Sequence, residues 1–183
     1  MRLRPAGFGD LAFLRRVSDG FQRELLGGTA LDEAKLQRFL ARQFTREHLY
    51  FVSHLPEGDF LVVEYAGDAV GRLYLDRRPT AFHIAELGVL PEARNIGIGG
   101  AILSAVKAAA VAAGVDSVTL NVDDCNLRAR RLYQHHGFVD GPIQGTLLAM
   151  SWPVPVLAPL LSAALVLTET GKRNAAWSAL GPA

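Results

Sequence analysis

The residues Leu90-Pro91-Glu92-Ala93-Arg94-Asn95-Ile96-Gly97-Ile98-Gly99-Gly100-Ala101 stand between a strand-like run and an alanine-rich helical run. The first turn of a helix presents N–H groups without intrahelical partners and a partial positive potential. Glycines let such a backbone approach a ligand without interference from Cβ. A diphosphate is the natural ligand of a site of this kind. The guanidinium of Arg94 would add a charged fork beside the same anion. A tight strand–helix turn with no ligand is the plainer reading of these residues taken alone. Two nucleotide sites fit poorly. A dinucleotide fingerprint needs a third glycine where Ile102 stands, and it opens a βαβ unit rather than following a meander. A P-loop needs Gly-Lys-Ser/Thr, and Gly99-Gly100-Ala101 has neither the lysine nor the hydroxyl.

A second cluster lies downstream, Asn126-Leu127-Arg128-Ala129-Arg130-Arg131-Leu132-Tyr133-Gln134-His135-His136-Gly137-Phe138. Its spacing predicts a helix with Ala129, Leu132, Tyr133 and His136 on one face and Gly137 as its stop. Arg94, Gly97 and Gly99 match the acyl-CoA signature R/Q-x-x-G-x-G/A, and the second cluster matches N-x-x-A-x-x-L-Y-x-x-x-G-F. Together, in this order, they resemble the GNAT N-acetyltransferase superfamily. The resemblance covers roughly Met1 to Pro153 and fades in the tail. Asn95 stands where the family often has glycine, and Ile96 where a basic residue is frequent. Gly71-Arg72-Leu73-Tyr74-Leu75-Asp76-Arg77 also resembles a subset of small bacterial members.

The resemblance implies an α+β acyl-CoA N-acyltransferase fold, with a mostly antiparallel twisted sheet and helices on both faces. It implies acetyl-CoA as co-substrate, no metal, and direct attack of a primary amine on the thioester in a ternary complex. The backbone of Leu87, Gly88 and Val89 would pair with the pantetheine arm like part of an extra strand. The turn Arg94, Asn95, Ile96, Gly97, Ile98, Gly99 and Gly100 would hold the pyrophosphate. Asn126 would hydrogen-bond the cofactor, and the Val89 N–H would stabilise the oxyanion. Tyr133 matches the family's proton donor to the leaving thiolate; a phenol suits the task because its ordinary pKa is about 10. Without the motif, the aromatic of an amphipathic helix is the favoured reading of Tyr133. Glu86 is the first candidate base, acting through water; the alternative is an ion-paired Glu86 and an exposed His83 with no catalytic task. The alternative reading is a non-catalytic CoA-binding or sensor module on the same fold.

Other reactive residues carry less. His83 is a second candidate base, but strand alternation puts it on the face opposite Glu86 unless a bulge intervenes. Cys125 could carry an acyl group, though no histidine partner is evident, and a structural cysteine is the plainer reading. His135 and His136 are adjacent on a helix and point apart, so they do not form a metal pair. Arg128, Arg130 and Arg131 are either a solvated helix face or a contact for the CoA 3′-phosphate.

The elements that must position these groups follow from changes in period. Arg2-Leu3-Arg4 reads as a first strand. Asp10 reads as the N-cap of a helix carrying Leu11, Phe13, Leu14 and Val17, and Asp32 as the cap of a second with Leu36, Phe39, Leu40 and Phe44 on one stripe. Gly27-Gly28-Thr29 separates them. Asp59 to Tyr65, the turn Ala66-Gly67-Asp68 and Ala69 to Asp76 form a hairpin; Phe82 to Leu90 is a third strand. A helix from Gly97 to Ala113, a strand from Ser117 to Val122, the Asn126–His136 helix and strands at Phe138-Val139 and Thr146 to Trp152 complete a mixed sheet with helices on its faces. Phe21, Phe44, Tyr50 and Phe51 line an acceptor pocket or pack the core.

Composition excludes several classes. Lys and Arg number 19 against 18 Asp and Glu, so the basic excess of a nucleic-acid binder is missing. The one cysteine excludes an intrachain disulfide and fits a cytoplasmic location. The longest apolar run, Val154 to Leu167, is broken by two prolines and shorter than the roughly 20 residues of a spanning helix. The expected organisation is therefore one acetyltransferase domain over 1–153 and an apolar extension over 154–183, serving as a homodimer contact or partly disordered. The acceptor would be a small-molecule amine or a protein N-terminus; neither nucleic acid nor membrane is expected as a partner.

Overall fold

The computed structural model describes residues 1–26 and 32–155. The expected break at Gly27-Gly28-Thr29 and the extension from residue 156 onward lie outside the described residues. In chain order the elements are β1 (Arg2–Pro5), α1 (Leu11–Leu25), α2 (Glu33–His54), β2 (Asp59–Tyr65), β3 (Asp68–Arg77), β4 (Ala81–Val89), α3 (Ile98–Ala113), β5 (Ser117–Asp123), α4 (Leu127–His135), β6 (Val139–Gln144) and β7 (Leu147–Pro153). The sheet runs β1-β2-β3-β4-β5-β7-β6. The β4–β5 pair is parallel, while β1–β2, β2–β3, β5–β7 and β6–β7 are antiparallel. Among the described residues, no helix is long and apolar enough to cross a membrane.

The chain divides into two compact units, Met1–Asp76 with Ala85–Ile98, and Arg77–Ile84 with the described residues from Gly99 onward. In the first, Leu14 of α1 and Phe44 of α2 close over Phe60, Val62 and Tyr74 of the sheet. Tyr74 is fully buried, with ring centroids 4.7 Å from Phe60 and 5.3 Å from Phe51. Asp32 caps α2 as its sequence implies, accepting from the Lys35 N–H at 2.8 Å. Asp10 departs from its expected role. A 3-10 turn over Phe8–Asp10 leads directly into α1, so Asp10 has helical dihedrals and its carboxylate cannot fold back over the first turn. It binds the Arg4 guanidinium at 2.7 and 2.8 Å and accepts from the Gly7 N–H instead. The α2 stripe also differs: Leu40, Phe44 and His48 are buried at steps of four, and Phe39 falls off that line and is exposed. Ala66 and Gly67 both take positive φ, the primed turn whose twist matches a hairpin.

In the second unit Val118, Leu120 and Val122 of β5 bury alternate positions, as do Leu148 and Met150 of β7. Ile102, Leu103, Val106 and Ala110 supply the buried face of α3. Gly114 and Gly137, both at positive φ, end α3 and α4 as expected. Lys107 lies over the Trp152 ring at 4.3 Å and donates to the His136 carbonyl at 2.9 Å, satisfying an acceptor at the end of α4.

Candidate active site

The glycine-rich turn has a defined conformation. The Leu90 N–H donates to the Val70 carbonyl at 2.9 Å, and a 3-10 turn over Pro91–Ala93 follows. Arg94 is extended, Asn95 is left-handed at φ 63° and Gly97 at φ 87°, and α3 starts at Ile98. Asparagine tolerates the left-handed region better than other side chains, so Asn95 in place of the family's glycine keeps the turn. At Gly97 a Cβ would meet nothing within 4 Å, so the glycine serves the dihedral. Gly99 and Gly100 serve close approach: a Cβ would come to 3.0 Å of Leu132 Cδ2 and 2.7 Å of His136 Nε2. The first turn of α3 thus packs on the α4 residues of the second sequence motif.

Arg94 is largely buried. Its Nε donates to the Val89 carbonyl at 2.8 Å, and Nη1 pairs with Glu24. The fork expected to meet the anion therefore ties the turn to β4 and α1. Glu86, Leu87, Gly88 and Val89 lie on the half-buried second half of β4. Glu86 is ion-paired, its Oε1 3.0 Å from Nη2 of Arg72. His83 is in the other unit, with Nδ1 2.9 Å from Thr119 Oγ1.

On α4, Asn126 Oδ1 caps the helix by accepting from the Ala129 N–H at 3.1 Å. Its carbonyl oxygen has a structural task, and its amide NH₂ is the part left for a ligand. Tyr133 is buried, with its ring 5.8 Å from Phe138. Ala129, Leu132 and His136 share its less exposed face, as their spacing predicts. Arg130 pairs with Asp140 and holds that carboxyl below its ordinary range, which favours the solvated-face reading for this arginine. Cys125 is exposed, and Asp124 and Asp123 push its thiol up, away from the thiolate an acyl carrier needs. Asp123, Asp124 and Cys125 place one donor atom each within 4.8 Å of one another, in a turn closed by the Cys125 N–H on Asp123.

Of the aromatics expected near an acceptor, Phe44 and Phe51 belong to the core of the first unit, while Phe21 and Tyr50 are exposed. A groove of about 340 Å³ between α1 and α2 is lined by Leu11, Arg15, Phe44, Thr45 and His48, among others. Arg72 and His48 are buried polar residues to which the sequence assigned no task. A signal existed for the first: a lone cation inside the apolar run Val70 to Leu75.

The family model for the acetyltransferase (GNAT) family matches residues 28–138, which include both motifs. The fold is similar to that of the PaiA N-acetyltransferase from Thermoplasma acidophilum, solved with coenzyme A. The TM-score is 0.66 at 18% identity, over 83% of this chain and 98% of that one. It is similar to an acetyltransferase from Thermus thermophilus, with a TM-score of 0.61 at 21% identity over 83% and 96% of the two chains. It is also similar to YncA from Salmonella typhimurium, solved with acetyl-CoA, with a TM-score of 0.54 at 18% identity over 89% and 99%. The chain belongs to the GNAT acetyltransferase family.

Proposed function

We propose that the protein transfers the acetyl group of acetyl-CoA to a primary amine by direct attack. The supporting observation is the turn at Arg94–Gly97, left-handed at Asn95 and Gly97 and opening into the first turn of α3, inside the region the family model matches. Such a turn suits a diphosphate, since N–H groups and helix dipole converge without a side chain at Gly97. Relatives of this fold were solved with coenzyme A and acetyl-CoA. On this reading Ile96 to Gly100 hold the pyrophosphate, and Leu87 to Val89 pair with the pantetheine. The Asn126 amide donates to the same arm.

In the chemical step the neutral amine forms a C–N bond at the thioester carbon and the C–S bond breaks. The Val89 N–H faces the oxyanion, and the extra amine proton leaves through water towards Glu86. Tyr133 donates its phenolic proton to the departing thiolate. Release of free thiol from acetyl-CoA, followed colorimetrically across a library of primary amines and peptide N-termini, tests the reading. Amine-dependent release is expected. Tyr133→Phe should lower kcat about 10²-fold or more while the acetyl-CoA KM stays within about two-fold. Thermal stabilisation by acetyl-CoA with no thiol release from it in the presence of any amine would assign a sensor module instead. An unchanged kcat in Tyr133→Phe would remove Tyr133 from the mechanism.

A further inference from the structure

Arg72 is a cation in the middle of β3 with only 3% of its side chain exposed. A guanidinium so buried is expensive unless its donors are met and its charge is paired. Here they are met only in part. Nη1 donates to the Leu14 carbonyl of α1 at 3.3 Å and Nη2 to Glu86 Oε1 of β4 at 3.0 Å. The group lies over the Tyr74 ring at 5.2 Å. Nε has no acceptor among the described residues. A strand selected for stability alone would carry an apolar residue at this position, like its neighbours Leu73 and Leu75. Buried groups that break such rules concentrate at functional sites.

The surroundings of Arg72 point to what it holds. A Cβ at Gly88 would come within 2.8 Å of Val17 Cγ1, so glycine lets α1 lie close against β4 there, and the Arg72 side chain passes the same point at ordinary contact distance. A Cβ at Gly71 would come within 2.5 Å of the Gly88 carbonyl oxygen. Gly71-Arg72 of β3 is thus pressed onto Glu86–Gly88 of β4. Glu86 keeps one oxygen on Arg72, and its side chain is still 29% exposed. Around the guanidinium stand Glu86 of β4, Tyr74 of β3, and Glu47 and His48 of α2, and α1 presents the Leu14 carbonyl.

We infer that Arg72 is a positioning residue for acetyl transfer: it fixes the Glu86 carboxylate and the backbone of Glu86–Val89 from behind, so that the base and the oxyanion donor keep one geometry. The inference rests on the proposed reaction. It also gives the Gly71–Arg77 motif a task, since Gly71 and Arg72 are its first two residues.

The test uses thiol release with the primary amine that gives the wild type its highest rate, between pH 6 and 10. The proteins are wild type, Arg72→Met, Arg72→Lys, Glu86→Gln and the double variant Arg72→Met/Glu86→Gln. Arg72→Met should lower kcat about ten-fold or more with the acetyl-CoA KM changed less than about three-fold, and Arg72→Lys should recover part of that loss. The double variant should be no slower than Glu86→Gln alone, because groups acting as one unit are non-additive. It also stays informative if Arg72→Met does not fold, since it leaves no half-buried carboxylate without its partner. An unchanged kcat in Arg72→Met, or losses that multiply in the double variant, would overturn the positioning role while leaving acetyl transfer standing. Wild-type protein that releases no thiol above background with any amine overturns both.

Discussion

Acid should destabilise this protein through His48. The imidazole is 5% exposed, stacked on Phe44 at 5.4 Å and edge-on to Phe60 at 6.4 Å. The Tyr74 hydroxyl lies 3.4 Å from Nδ1, and burial pushes that phenol up to about 12, so it stays neutral throughout. Burial first, and the Arg72 charge second, lower the His48 pKa from 6.5 to about 4. In the unfolded chain the same group titrates near its ordinary value of about 6.5. Between these limits the unfolded state carries one proton more than the folded state, so stability is full above pH 6.5 and is lost as pH falls towards 4. From pH 7 to pH 5 the loss from this residue alone is about 1.8 kcal/mol, rising to about 3 kcal/mol when the whole window is crossed. With a urea slope of about 1–3 kcal/mol/M, the pH 5 midpoint should fall by about 1 M through this group. The assay is urea unfolding at pH 7 and pH 5 for the wild type and for His48→Phe, which fills the same space and cannot titrate. The wild type should lose about 2 kcal/mol more than the variant over this step. Equal losses in the two proteins would mean that His48 takes a proton without unfolding, and the argument from its burial would fail.

The packing of the α3 N-terminus on α4 can be tested separately. Gly100→Ala drives a Cβ towards the His136 ring and should cost about 1–3 kcal/mol by thermal or urea unfolding. Combining it with His136→Ala should restore most of that loss; a double variant as unstable as the sum of the two singles would refute the contact. The cap of α2 is a smaller test. Asp32→Ala removes the acceptor of the Lys35 N–H and should cost about 1 kcal/mol, and an unchanged urea midpoint would show that the start of α2 is held by packing alone.

Local signals in the sequence were enough for the elements and the two motifs. The Ala66-Gly67 hairpin turn, the Asp32 cap, the glycine stops at Gly114 and Gly137 and the Tyr133 face of α4 each depend on residues within one or two turns of one another. Long-range partners were not legible in the same way. Asp10 has the composition of a cap, but Arg4 and the 3-10 turn claim its carboxylate. Arg94 has the composition of an anion ligand, but Val89 and Glu24 claim its guanidinium. Glu86 stands in the motif region, but its ion pair comes from a strand fourteen residues earlier. In each case the residue type was read correctly as charged, and the partner was set by strand neighbours and helix packing that no spacing rule contains. The same logic explains why Arg72 escaped notice. Its charge breaks the apolar pattern of β3, and only the placement of Gly88, Glu86 and Leu14 around it turns that break from a flaw in a strand into a clamp on the segment proposed to do the chemistry.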